Sequence, residues 1–291
     1  MAIETAAAPI RVTPPMVRRR LWRRHPTILA GAVILAVMVL AALLAPWLGT
    51  IDPTQLSPIR RLRPPSETYW FGTDLLGRDV YSRTLYGGRI SLFVGFTVAT
   101  LALAAGLFLG LVTGFIRPVD GILMRIMDGL MAIPAILLAI ALVALTQASV
   151  QNVIIAITIA EIPRVTRLVR SVVLTLREQP FVEAAYATGT RLPVILVRHI
   201  LPNTLAPLIV QGTYICAAAI IAESILSFIG AGTPPTVPTW GNIIAEGRSY
   251  FQVAPHIIFF PALFLSLTVL GVNLLGDGLR DLLDPRLASR H

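Results

Sequence analysis

The chain has 291 residues, of which 55% are hydrophobic and only 13% charged, about half the charged share of an average soluble domain. Its formal charge of +9 and mean hydropathy of +0.77 exclude a disordered chain, a nucleic-acid-binding domain and most cytosolic enzymes, and point to several membrane spans. All 24 basic residues are Arg, so there is no Lys for a Walker A phosphate loop or a Schiff base; if ATP drives this protein, another chain hydrolyses it.

Residues 1–26 form an Arg-rich tail, with Arg11, Arg18, Arg19, Arg20, Arg23 and Arg24. A first span follows at 27–49. Its apolar run is longer than a signal-peptide core, which favours an uncleaved helix. Residues 50–89 make a segment outside the bilayer, stiffened by Pro53, Pro58, Pro64 and Pro65. The charge-free run 90–116 is the second span. The next run is too long for one comfortable crossing and holds a polar break, Thr146 to Asn152. Splitting it there gives a third helix from about Ile122 to Leu145 and a fourth from about Val153 into Arg164. Runs at 199–222 and 249–276 supply the fifth and sixth.

The fold class expected is therefore an all-α polytopic membrane protein with six transmembrane helices. Its core covers residues 90–278, and 279–291 form a short C-terminal tail. With six spans, seventeen Arg residues fall on one side and seven on the other. That asymmetry places both termini in the cytoplasm of a plasma membrane.

The segment 177–203 is the most informative. Gln179 to Thr188 suits a short helix made thin by Ala184, Ala185 and Ala187. Gly189 permits a sharp turn, and Leu192 to Leu201 suits a second helix with Pro193 in its first turn. A thin helix, a Gly elbow and a second helix make a rigid peg on the inner face; an interfacial amphipathic linker is the alternative.

Glu183-Ala184-Ala185, Gly189 and Ile200-Leu201-Pro202 together resemble the EAA loop of type I ABC importer permeases. Three further stretches are similar to the C-type subunit of oligopeptide and dipeptide permeases. They are Phe71 to Arg83 leading to Gly87-Gly88, Glu223 to Gly230 with Pro234, Pro235, Trp240 and Gly241, and Asn273 to Pro285. The resemblance implies a coupling helix, at Glu183, Ala184, Ala185, Gly189, Ile200, Leu201 and Pro202, that docks into an ATP-binding subunit. It also implies a second homologous permease, two ATP-binding subunits or one fused pair, and an external substrate-binding lipoprotein in a bacterial plasma membrane. ATP and Mg would sit on the ATPase partners, with no cofactor or metal on this chain. Peptides are the cargo implied; nickel chelates, glutathione and haem are the alternatives within the same class.

Other residues carry less. Phe71, Gly72, Asp74, Gly77, Arg78 and Asp79 are expected to form an ordered external cap, with Asp74, Arg78 and Asp79 as a local ion-pair cluster. Arg164, Arg167 and Arg170 repeat every third position, as in a voltage sensor, but better suit interface anchors. Glu161 is expected to pair with Arg164 or Arg167, and Glu223 to face the external opening or a partner subunit. Cys216 reads as a small core residue. The four His residues lack ligand spacing, and no nucleophile, base and acid set converges on a catalytic site. A proton-coupled carrier would need inverted repeats and midplane acids; a channel would need a filter loop. Neither is visible.

Overall fold

The computed structural model describes residues 26–283; the Arg-rich N-terminal tail and the last C-terminal residues lie outside that range. Among the described residues the ordered elements are helical, apart from one isolated bridge between Thr73 and Asp79. The helices are α1 (Pro26–Leu43), α2 (Val80–Phe115), α3 (Arg117–Met131), α4 (Ala135–Ala144), α5 (Val150–Leu176), α6 (Pro180–Ala187), α7 (Leu192–Ile195), α8 (Leu201–Phe228), α9 (Trp240–Gly247) and α10 (His256–Leu283).

Four helical stretches are long and apolar enough to cross a membrane: α1, α2, the run Leu192–Phe228 and α10. The pair α3–α4 makes a fifth if counted as one broken span, bent by 89°. The single helix expected from Ile122 to Leu145 is thus broken. Pro134 is the cause: it bars Ile133 from helical geometry and has no N–H to continue the ladder.

The second helix begins at Val80, ten residues before its charge-free run. Asp79 starts it, because its side chain accepts the Ser82 backbone N–H at 2.9 Å and so satisfies a first-turn donor. At 36 residues, α2 rises about 54 Å and is the mast of the bundle. It packs most closely on α5. Gly106, Gly110 and Gly114 of α2 face Val165, Val169 and Val173 of α5. A Cβ on those glycines would lie 2.4–2.5 Å from the valine side chains. Small residues spaced by four let helix backbones approach where lipid offers no hydrophobic drive for association.

Charged groups reinforce the α3–α5 contact. Arg170 donates two hydrogen bonds to Asp120, at 2.5 and 2.7 Å, and Arg167 donates to Asp128 at 2.5 Å. Two of the three repeated arginines, Arg167 and Arg170, therefore anchor one helix to its neighbour. Glu161 lies 3.3 Å from Arg164, the pairing expected. Cys216 is buried in the core.

Candidate functional site

The two ends of the mast carry different structures. At its N-terminal end, residues 44–79 and the loop 229–255 fold against each other. Residues 57–63 pair through the backbone with residues 72–78: Ser57 N–H to Leu76, Leu62 N–H to Asp74 and Thr73 N–H to Arg63, at 3.0–3.1 Å. Phe71 stacks on Phe260 of α10 with centroids 3.9 Å apart and presents an edge to Tyr81. Tyr69 is buried, while Trp70 stays largely exposed.

A four-residue ionic clasp holds this end. The carboxylate of Asp74 is fully buried and accepts from Arg78 Nε and Arg83 Nη1, each at 2.6 Å. Both arginines also reach Glu246 of α9, at 2.5 and 2.6 Å. Two cations and two anions thus neutralise one another, the arrangement that buried charge requires. Asp74 further accepts the backbone N–H groups of Leu76 and Arg78. The expected Asp74–Arg78 pair is present. Asp79 is not part of the clasp, because its carboxylate is committed to capping α2. Arg83 and Glu246 take its place. Arg83 was legible as the end of its motif; Glu246, 163 residues further on, carried no sequence signal.

Glu223 is also placed differently from expectation. It does not face an opening: it is fully buried in α8, accepting hydrogen bonds from Ser227 at 2.8 Å and Ser91 at 3.3 Å. The indole of Trp240, buried beside it, donates to the Thr84 carbonyl at 3.0 Å. The helix α9 that supplies Trp240 and Glu246 lies where a loop was expected.

At the opposite end of α2, Arg177 donates to the Gly114 carbonyl and the chain turns into the short helix α6. Pro180 opens α6 at its first position, where a missing N–H costs nothing. Its C-terminus closes with Gly189 N–H on Tyr186 and Thr190 N–H on Ala185, both 3.0 Å. This double bond pattern needs a left-handed residue at the turn, and Gly189 has φ +75°. Val182 and Ala185 anchor α6 inward, whereas Phe181, Glu183, Ala184, Tyr186 and Gly189 are exposed.

Of the expected coupling residues, Ile200 and Ala185 are buried, Leu201 is partly so, and Pro202 is exposed. Ile200 and Ala185 therefore hold the peg in place and offer no outer surface. The second helix does not end at Leu201. It passes through a π-turn, Leu196–Ile200, into α8, so the second helix and the span are one rod. The wider turn accommodates Pro202, whose ring would crowd the carbonyl four residues back.

These features define a polytopic helical membrane protein with a locked cap at one end and an open elbow at the other. Residues 102–289 match the family described as the binding-protein-dependent transport system inner membrane component, and residues 16–65 match the N-terminal TM domain of oligopeptide transport permease C. The chain belongs to that family of transport permeases. It is 54% identical to a probable peptide ABC transporter permease of Sinorhizobium fredii, over 93% of both chains. It is 44% identical to a dipeptide transport system permease of Alkalihalophilus pseudofirmus, over 92% of this chain and 88% of the relative. A glutathione transport system permease of Pectobacterium atrosepticum is 42% identical over 93% of this chain and 90% of its own. Among solved structures, the inward-facing MetNI methionine ABC transporter superposes with a TM-score of 0.58 at 20% identity, over 69% of this chain and 96% of that one. That likeness concerns the fold.

Proposed function

We propose that this chain is one permease subunit of an ATP-driven importer of peptides. In this reading α6 and the Gly189 elbow dock into an ATP-binding subunit, and the cap receives cargo from an external substrate-binding lipoprotein. The chain contributes no covalent chemistry. ATP and Mg are handled by two ATPase subunits or a fused pair. The supporting observation is the elbow: a helix anchored by Val182 and Ala185, exposing Glu183 and Ala184, and joined through the Gly189 turn to the continuous helical run Leu192–Phe228. A push on α6 passes through the hydrogen-bonded Gly189 turn into that run, which suits rigid-body motion.

A second permease completes the pathway. Between α5, α8 and α10 an open groove of about 490 Å³ is lined in part by Gln211, Tyr214 and Arg280, and Tyr214 donates to Asp277 at 2.5 Å. Such polar groups are costly against lipid tails, so a partner or an aqueous path covers them. In the six-span topology α3–α4 and α5 are spans three and four, and both termini are cytoplasmic.

The test is purification of the intact complex, identification of its subunits and measurement of ATPase stimulation by candidate peptides. Gly189→Val should leave the permease inserted but lose ATPase association and transport. Normal peptide-stimulated hydrolysis in that variant would refute the coupling role. With Cys216 replaced, Glu67→Cys should react with an impermeant thiol reagent in intact cells, while Glu4→Cys and Arg290→Cys, outside the described residues, should be shielded.

A further inference from the structure

The seven arginines at the cap end are not equivalent. Arg78 and Arg83 are neutralised in the clasp. Arg89 donates to the carbonyls of Ala42 and Leu43 at the end of α1, at 2.7 and 2.8 Å, where free carbonyls attract a cation. Arg248 lies against the Phe228 ring. The remaining three, Arg60, Arg61 and Arg63, are exposed within one short stretch. Between Pro53 and Thr73 the sole acidic residue is Glu67, so the stretch is a net basic surface.

The backbone is shaped to present it. Leu62 has φ +52° and is the one non-glycine residue with positive φ among the described residues. That conformation is costly for a branched side chain and persists only where its surroundings hold it. What holds it is a small apolar cluster of Val80, Ile243, Ala254 and Ile257, against which Leu62 packs. With Leu62 turned in, the flanking arginines are left exposed. Arg60 is braced on the Tyr69 hydroxyl and Arg61 on the Leu75 carbonyl. Beside them Ile59 is 89% and Leu56 61% exposed. Arginine mixed with exposed apolar side chains, on a preorganised backbone, is the composition of a protein interface.

We infer that Arg60, Arg61 and Arg63, with Ile59 and Leu56, form the landing patch for an acidic surface of the external substrate-binding protein. The inference rests on the importer reading, which puts the cap on the outer face. Charge complementarity selects this occupant: a basic patch on the side where arginine is otherwise sparse steers an acidic partner and sets its register.

The clean variant is Arg63→Glu, since among the described residues its guanidinium makes no hydrogen bond. The complex is reconstituted in nanodiscs of zwitterionic lipid, and association of the substrate-binding protein that co-purifies with it is followed. The variant should associate about tenfold more slowly at low ionic strength, with the difference fading near 0.5 M salt. Basal ATPase activity should be unchanged, while the stimulation by binding protein falls. Arg60→Gln/Arg61→Gln should give the same trend. Three results would overturn the inference: wild-type association rate and salt slope in Arg63→Glu, an effect seen only in anionic-lipid nanodiscs, or failure of the permease pair to assemble. If the wild-type complex binds no such protein, the importer reading falls with it; normal wild-type docking alongside normal variant docking removes the patch alone.

Discussion

Gly77 and Gly189 adopt nearly the same left-handed backbone, with φ +76° and +75°, in opposite surroundings. A Cβ on Gly77 would lie 1.9 Å from the Ser57 carbonyl oxygen, whereas one on Gly189 would meet nothing within 4 Å. At Gly77 the cap end closes on itself, and it buries charges in a clasp. The elbow end uses the same device to hold a helix out.

The contrast can be tested by how each region responds to damage. Removing Asp74 should do the most harm: Asp74→Ala strands Arg78 and Arg83 beside Glu246 alone. Losing one member of a buried ionic set costs about 3–5 kcal/mol, so the purified permease should melt well below wild type. A wild-type melting temperature would mean the clasp does not brace the cap. Gly77→Ala comes next, at about 3 kcal/mol, because a backbone clash adds to an unfavourable φ. Gly189→Ala should cost only about 1–2 kcal/mol, the conformational part alone. The pair therefore separates clash from strain in one thermal-shift experiment. Equal losses in the two variants would erase the distinction drawn here.

The smallest effect concerns Asp52, at the edge of the cap. Its carboxylate accepts from the Thr54 hydroxyl and backbone N–H, at 2.6 and 2.8 Å, which holds its pKa below the usual carboxylate value of 3.8. A depressed pKa contributes stability above the ordinary carboxylate range, and that contribution is lost as pH falls through the lowered value. Cargo uptake should therefore show no step between pH 7 and pH 5 attributable to this turn, and Asp52→Asn should leave that pH profile unchanged.

Much of the elbow was legible. Proline at a first turn, small residues in the middle and glycine at the end specify a short capped helix without help from elsewhere, and the structure begins and ends it within one residue of expectation. The roles of Ala185 and Ile200 were not legible, because burial depends on which side of the rod the bundle lies. The cap was legible in part. Asp74 and Arg78 sit four apart and pair locally, but Asp79 had two possible uses and the helix start at Val80 decided between them.

By itself the sequence determined the properties that sum over neighbours: membrane residence from hydropathy, the asymmetry of arginine and the elbow at Gly189. It did not set the ends of the first two helices, since α1 stops at Leu43 and not at 49, and α2 starts at Val80 and not at 90. Tertiary structure alone decided the properties that join distant residues. Glu246 completes a clasp with Asp74, Glu223 is buried against the hydroxyls of Ser91 and Ser227, three glycines receive three valines, and Leu62 is held in a strained conformation beneath the arginines. Each depends on what another helix brings within a few ångströms. A buried charge, a close backbone approach or a costly φ is tolerated only when that distant partner is in place.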